Sequence, residues 1–144
     1  MSDADRFSLA EGHQAVDFSC VTSWLASSYW TPGIGQEQVE RATRNSALVL
    51  SAFDMDGTQA GFLRVVSDKT RFAYLCDVWV AEAYRGQGLA RRMVKHALNH
   101  PEFATVSTWT LGTKDAQGVY EALGFRDIRN AAAYPNTWMV RRTS

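Results

Sequence analysis

The order strand, glycine-rich turn, amphipathic helix between Phe72 and Leu98 constrains this chain more than any other feature. The run from Phe72 to Val80 is β-branched and aromatic enough to read as a strand buried on most of its surface. From Leu89 on, Leu89, Met93 and Ala97 with Ala90, Val94 and Leu98 form one apolar stripe, opposite Arg91, Arg92, Lys95, His96 and Asn99, which describes a helix packed on a sheet. Between the two lies Ala81-Glu82-Ala83-Tyr84-Arg85-Gly86-Gln87-Gly88-Leu89-Ala90. Gly86 and Gly88 let backbone N–H groups at the positive end of the helix approach a ligand with no Cβ in the way, so the turn is an anion site suited to phosphate. Arg85 and Arg91 add charge at its rim. The turn meets neither the GxxxxGK[ST] pattern of a P-loop nor the GxGxxG pattern of a dinucleotide fold.

Around this unit the pattern predicts a short strand at Phe7 to Ala10 and helices over Asp17 to Ser27 and Gln36 to Asn45, separated by the breakers Pro32, Gly33 and Gly35. Ala47 to Phe53 and Gln59 to Val66 read as a hairpin turning at Asp56-Gly57. After the helix that Pro101 ends come a strand at Thr105 to Leu111, a helix carrying Ala116, Val119, Tyr120 and Leu123 that stops at Gly124, and closing strands at Phe125 to Ile128 and Trp138 to Arg141. A strand, crossover helix and second strand in that order makes one parallel pair in an otherwise antiparallel sheet, a mixed α/β or α+β architecture. With 144 residues, the chain 1–144 is expected to be a single domain.

Charge removes one class of function. Fifteen basic residues balance fifteen acidic ones, so no net positive field holds a polyanion, and nucleic acid is not an expected partner. No apolar run reaches the length of a membrane span and the N-terminus is polar, so no membrane association and a cytoplasmic location are expected. Cys20 and Cys76 lack ligand spacing and read as buried thiols in a reducing compartment. His96 and His100 are spaced i, i+4, but with no third ligand evident they read as solvated histidines near a helix end, and no metal is expected. Asp77 is a charge inside an apolar strand, which requires a partner or a cleft, and its role stays open between base, substrate anchor and structural hydrogen-bond partner.

The turn, the strand before it and the later Tyr120-Glu121-Ala122-Leu123-Gly124-Phe125 together resemble the GNAT superfamily of acyl-CoA-dependent N-acyltransferases. Its signature [QR]xxGx[GA] is matched by Arg85, Gly88 and Ala90, and the resemblance covers about residues 47 to 128 well. It implies a mixed, mostly antiparallel sheet of about six to seven strands with a central parallel splayed pair and about four flanking helices. It further implies acetyl-CoA as co-substrate: the pyrophosphate on Arg85, Gly86, Gln87, Gly88, Leu89, Ala90 and Arg91, and the pantetheine arm along Val78, Trp79 and Val80 as an added strand.

By the same resemblance Tyr120 is the acid that protonates departing thiolate, and Tyr29 and Trp30 lie in a flap over the acceptor, unless they are core aromatics. The implied reaction is acetylation of a primary amine, on a small molecule or a protein, by direct attack in a ternary complex, and many relatives are dimers. Two departures concern the base: Cys76 stands where several relatives carry glutamate, and Thr108 where others do, which leaves Asp77, Glu11 or an ordered water for that role. An asparagine that many relatives place before the tyrosine is Thr113, which suits a helix N-cap. From another class, the competing function is an acyl-CoA-binding or regulatory module with little turnover.

Overall fold

Asp17 opens the first helix by accepting the N–H of Cys20 at 3.1 Å, the expected use of an aspartate at an N-cap. This is seen in a computed structural model that describes residues 6–130 and 136–143. In chain order the elements are β1 (Ser8–Glu11), α1 (Phe18–Ala26), α2 (Gln36–Arg44), β2 (Leu48–Phe53), β3 (Gln59–Ser67), β4 (Phe72–Val80), α3 (Leu89–Leu98), β5 (Thr108–Thr110) and α4 (Gln117–Glu121). The described residues fall into two compact units that divide between Leu111 and Gly112.

In the first unit the strands lie in sequence order, antiparallel from β1 to β4, with β5 parallel to β4. Val16, Val21, Leu25 and Val39 from the helical front pack with Val49 and Phe62 of the sheet, so α1 and α2 are held by a continuous apolar cluster. The stripe of α3 is buried at Leu89, Met93, Val94 and Ala97. Met93 lies so close to Gly61 of β3 that a Cβ there would stand 2.8 Å from the Met93 methyl carbon, which explains a glycine inside a strand. Arg92 and His96, on the side of α3 expected to face solvent, are half-buried because they reach back to β1 and the residue before it: an Arg92 guanidinium N–H donates to the Phe7 carbonyl at 2.7 Å, and His96 meets Glu11.

Several expectations change. The described sheet has five strands rather than six to seven, and its parallel pair lies at an edge instead of the centre. Neither closing strand is present: Ile128–Asn130 is a 3₁₀ turn, stabilised as Asp127 accepts the Arg129 N–H at 3.0 Å, while Trp138 to Arg141 has no strand pairing and leaves Met139 87% exposed. The strand β4 is also less buried than its composition suggests, with only Ala73 and Leu75 fully inside, because β5 covers three of its nine residues. Both cysteines are half-buried and unpaired with each other, and burial pushes the Cys76 thiol up to about 11.

In the second unit Thr113 accepts the Ala116 N–H at 3.0 Å just ahead of α4, close to the capping role expected of it. Among the described residues no helix is long and apolar enough to cross a membrane.

Candidate active site

The geometry of the site begins with a slip in the β3/β4 ladder. Phe62 pairs with Trp79 while Arg64 pairs with Cys76, so Asp77 and Val78 together stand opposite Leu63. That is a β-bulge, and Asp77 takes the strain, with φ of +54° in a region that aspartate tolerates better than β-branched residues do. Beyond Tyr74 no described strand pairs on the β5 side of β4, so Val78 to Val80 run along an open margin, half-buried.

Both oxygens of Asp77 are engaged. Arg64 Nε donates to Oδ2 at 2.8 Å in an ion pair whose side chains are 19% and 13% exposed, and the indole N–H of Trp30 donates to Oδ1 at 2.8 Å. Arg64 also reaches the Ser46 hydroxyl at 3.3 Å. The carboxylate thus ties the bulge of β4 to the connector between α1 and α2. Removing one partner of such a half-buried charged pair typically destabilises more than the pair itself contributes.

Around this tie stands a wall of rings. Trp24 of α1 stacks on Trp79 at 6.4 Å, Trp30 tilts against Trp79 at 6.0 Å, and Tyr29 meets Trp30 edge to face at 5.0 Å. Tyr29 and Trp30 are 54% and 42% exposed, so they are not core aromatics but present ring surface outward. The Arg85 guanidinium lies over Trp79 at 5.5 Å while its Nε donates to the Val80 carbonyl at 2.9 Å. The sequence-predicted residues Asp77, Trp79, Val80, Arg85, Tyr29 and Trp30 therefore form one contact network.

The glycine turn has the properties a phosphate cradle requires. Gly86 and Gly88 have φ of +79° and +81°, a Cβ on either would meet nothing within 4 Å, and no side chain caps α3. Leu89 is buried as the first residue of the helix and holds it to the sheet, Ala90 is half-buried, and Arg91 is exposed. A phosphate group fits here. Sequence reasoning missed Arg6, whose guanidinium donates to the Gln87 side chain and brings a further cation to the turn from 81 residues away. It also missed Tyr84, which donates its hydroxyl to Asp54 and braces the turn against the β2/β3 hairpin.

Tyr120 belongs to the second unit, half-buried in α4, with its ring edge to face with Phe125 at 5.9 Å. Glu11 sits apart from the ring wall, where His96 Nε2 meets Oε2 at 2.8 Å and His100 Nε2 meets Oε1 at 3.0 Å. These groups line a cavity of about 420 Å³ with Arg92 and Lys95. The hydrogen bonds from His96, then His100, hold the Glu11 carboxyl below its usual range. A carboxyl lowered on folding contributes stability that is present above its unfolded pKa of about 4.5 and is lost as pH falls through the folded value. Glu11→Gln is therefore expected to lower the urea midpoint near pH 6 and to flatten its decline on acidification; equal declines in both proteins would contradict the assignment. Among the described residues no group of three His, Cys, Asp or Glu is placed to hold a metal.

Known proteins share the fold. The family described as acetyltransferase (GNAT) domain matches residues 44–127. A structure from Xanthomonas campestris pv. campestris, assigned as a GNAT-family acetyltransferase, is 30% identical, with 94% of this chain and 92% of that chain covered and a TM-score of 0.85. Two others share the fold: an assigned acetyltransferase from Deinococcus radiodurans at 21% identity, TM-score 0.68, covering 99% and 92% of the two chains, and a glucosamine-6-phosphate N-acetyltransferase from Arabidopsis thaliana at 14% identity, TM-score 0.66, covering 96% and 99%. No curated protein matches the sequence.

Proposed function

Because the chain belongs to the GNAT acetyltransferase family, we propose that it is an N-acetyltransferase that moves an acetyl group from acetyl-CoA to a primary amine, acting as one domain over residues 1–144. The observation that carries this is the uncapped start of α3 behind two positive-φ glycines, opening beside a bulged strand with a free margin. Backbone N–H groups from Gly86 to Arg91 hold the pyrophosphate, with Arg85, Arg91 and Arg6 in support, and Val78 to Val80 accept the pantetheine arm as an added strand. The thioester carbonyl gains charge as the amine attacks, and a backbone N–H of Val78 to Val80 stabilises it. Tyr120 protonates the departing thiolate.

An alkylamine with a pKa of about 10.4 is almost wholly protonated at neutral pH, so losing that proton adds roughly 4 to 5 kcal/mol to the barrier unless the site lowers the pKa or removes the proton. Asp77 and Glu11 each have both oxygens engaged, which favours an ordered water as the proton's first acceptor. With a ternary complex, double-reciprocal plots of the initial rate of CoA release against acetyl-CoA at several amine concentrations should give intersecting lines; parallel lines would indicate an acyl-enzyme and overturn this mechanism.

Tyr29 and Trp30 line the acceptor side. Trp30→Ala is expected to raise acceptor KM about tenfold, equivalent to ~1.4 kcal/mol, with acetyl-CoA affinity near wild type. A large melting shift with unchanged kinetics would make Trp30 a structural residue only.

A further inference from the structure

The acceptor wall is ready for a ring. Its one carboxylate and its indole N–H are already bound to neighbours: Asp77 to Arg64 and Trp30, and the Trp30 N–H to Asp77, while Arg85 Nε is bound to the Val80 carbonyl with its guanidinium over the Trp79 face. What Trp30 presents outward is aromatic surface, at 42% exposure, with Tyr29 perpendicular to it at 54%. A polyamine needs carboxylate oxygens to receive its further ammonium groups, and a sugar amine needs several hydroxyl partners, because burying either without them leaves polar groups unpaired. An aromatic ring needs only π-faces and edges at stacking distance, which Trp30 and Tyr29 supply.

Resting on the acetyltransferase reading above, we propose that the acceptor is an arylalkylamine, a primary amine carried on a short alkyl chain from a planar ring, and that Asp77 is a positioning residue that fixes Trp30 to receive that ring. The carboxylate locks the indole through its N–H, so the ring plane is set by the β4 bulge rather than by the mobile end of a loop side chain. On the other side of β4 the pairing with β5 stops at Tyr74, so Val78 to Val80 keep a margin for the donor next to the ring that Asp77 fixes. The reaction itself is unchanged: the amine nitrogen forms the new C–N bond, the C–S bond breaks, the thiolate takes a proton and the nitrogen loses one.

The test compares 2-phenylethylamine with butylamine, which share a primary amine and differ in the ring, and adds spermidine and glucosamine 6-phosphate. Wild type is expected to show kcat/KM at least tenfold higher for 2-phenylethylamine than for butylamine. Trp30→Ala should bring that ratio close to one, and Trp30→Phe, which keeps a ring but loses the N–H that Asp77 fixes, should leave it between the two. Asp77→Ala should reduce the ratio, Asp77→Asn, whose Oδ1 can still accept the indole N–H, should restore most of it, and the shape of the pH–rate profile should be unchanged in both, whereas loss of its acidic limb would make Asp77 the base and overturn its positioning role. Preference for butylamine, spermidine or the sugar phosphate would overturn the ring proposal and leave the acetyltransferase reading intact. If no amine is acetylated, that reading fails, and calorimetric titration of 2-phenylethylamine against butylamine with CoA present still decides whether the wall takes a ring: tighter binding of the former supports it and equal binding overturns it.

Discussion

Tyr120→Phe is expected to lower kcat about 10²-fold with little change in acetyl-CoA affinity, the loss typical of a single general acid. Thiolate is a good leaving group, so proton donation assists its departure without being indispensable. The substitution removes one oxygen and keeps the ring, hence its edge-to-face contact with Phe125 at 5.9 Å. Any lost hydrogen bond is worth about 1 kcal/mol, which a melting curve detects separately. Full turnover in a folded variant whose chemical step limits the rate would show that thiolate leaves without this hydroxyl.

Gly88→Val should weaken acetyl-CoA binding at least tenfold, about 1.4 kcal/mol or more. Two effects combine. The Cβ enters the open space in front of α3, where phosphate oxygens would lie, and a β-branched residue is strained at φ of +81°. Gly12→Val separates them, because Gly12 also has positive φ, +110°, with open surroundings, and stands in the connection between β1 and α1. Both variants should lose stability, but only Gly88→Val should lose affinity when folded protein is titrated by calorimetry. Equal affinity in the two would reduce the turn to a connector.

The parts of this site that were legible in the sequence are those written in local pattern. The strand from Phe72 to Val80 matches β4 to the residue, and the stripe from Leu89 to Leu98 matches α3, because side-chain periodicity and β-branching act over neighbouring residues. Asp77 was visible as an anomaly, but its meaning was not: the bulge and positive φ arise from registry with Arg64 and from Trp30, 47 positions away. Glu11 likewise meets two histidines 85 and 89 positions on, so a pair that looked solvated is held by a carboxylate of β1. Arg6 at the cradle was hidden for the same reason.

The closing strands failed in the opposite direction. Trp138 to Arg141 has strand-like composition, yet β propensity largely measures how well a segment fits a sheet, and the described sheet does not include this one. At Phe125 to Ile128 the side chain of Asp127 competes successfully, since its bonds to the Arg129 backbone and guanidinium favour a turn over an extended chain.

Acceptor-dependent release of CoA from acetyl-CoA, followed across a panel of primary amines, tests the central claim most directly. The account predicts that CoA appears only when an accepted amine is present, in amounts equal to the N-acetylated amine formed. Tight, calorimetrically measured acetyl-CoA binding with no CoA release for any amine would contradict it and identify the chain as an acyl-CoA-binding module that keeps the cradle without the transfer.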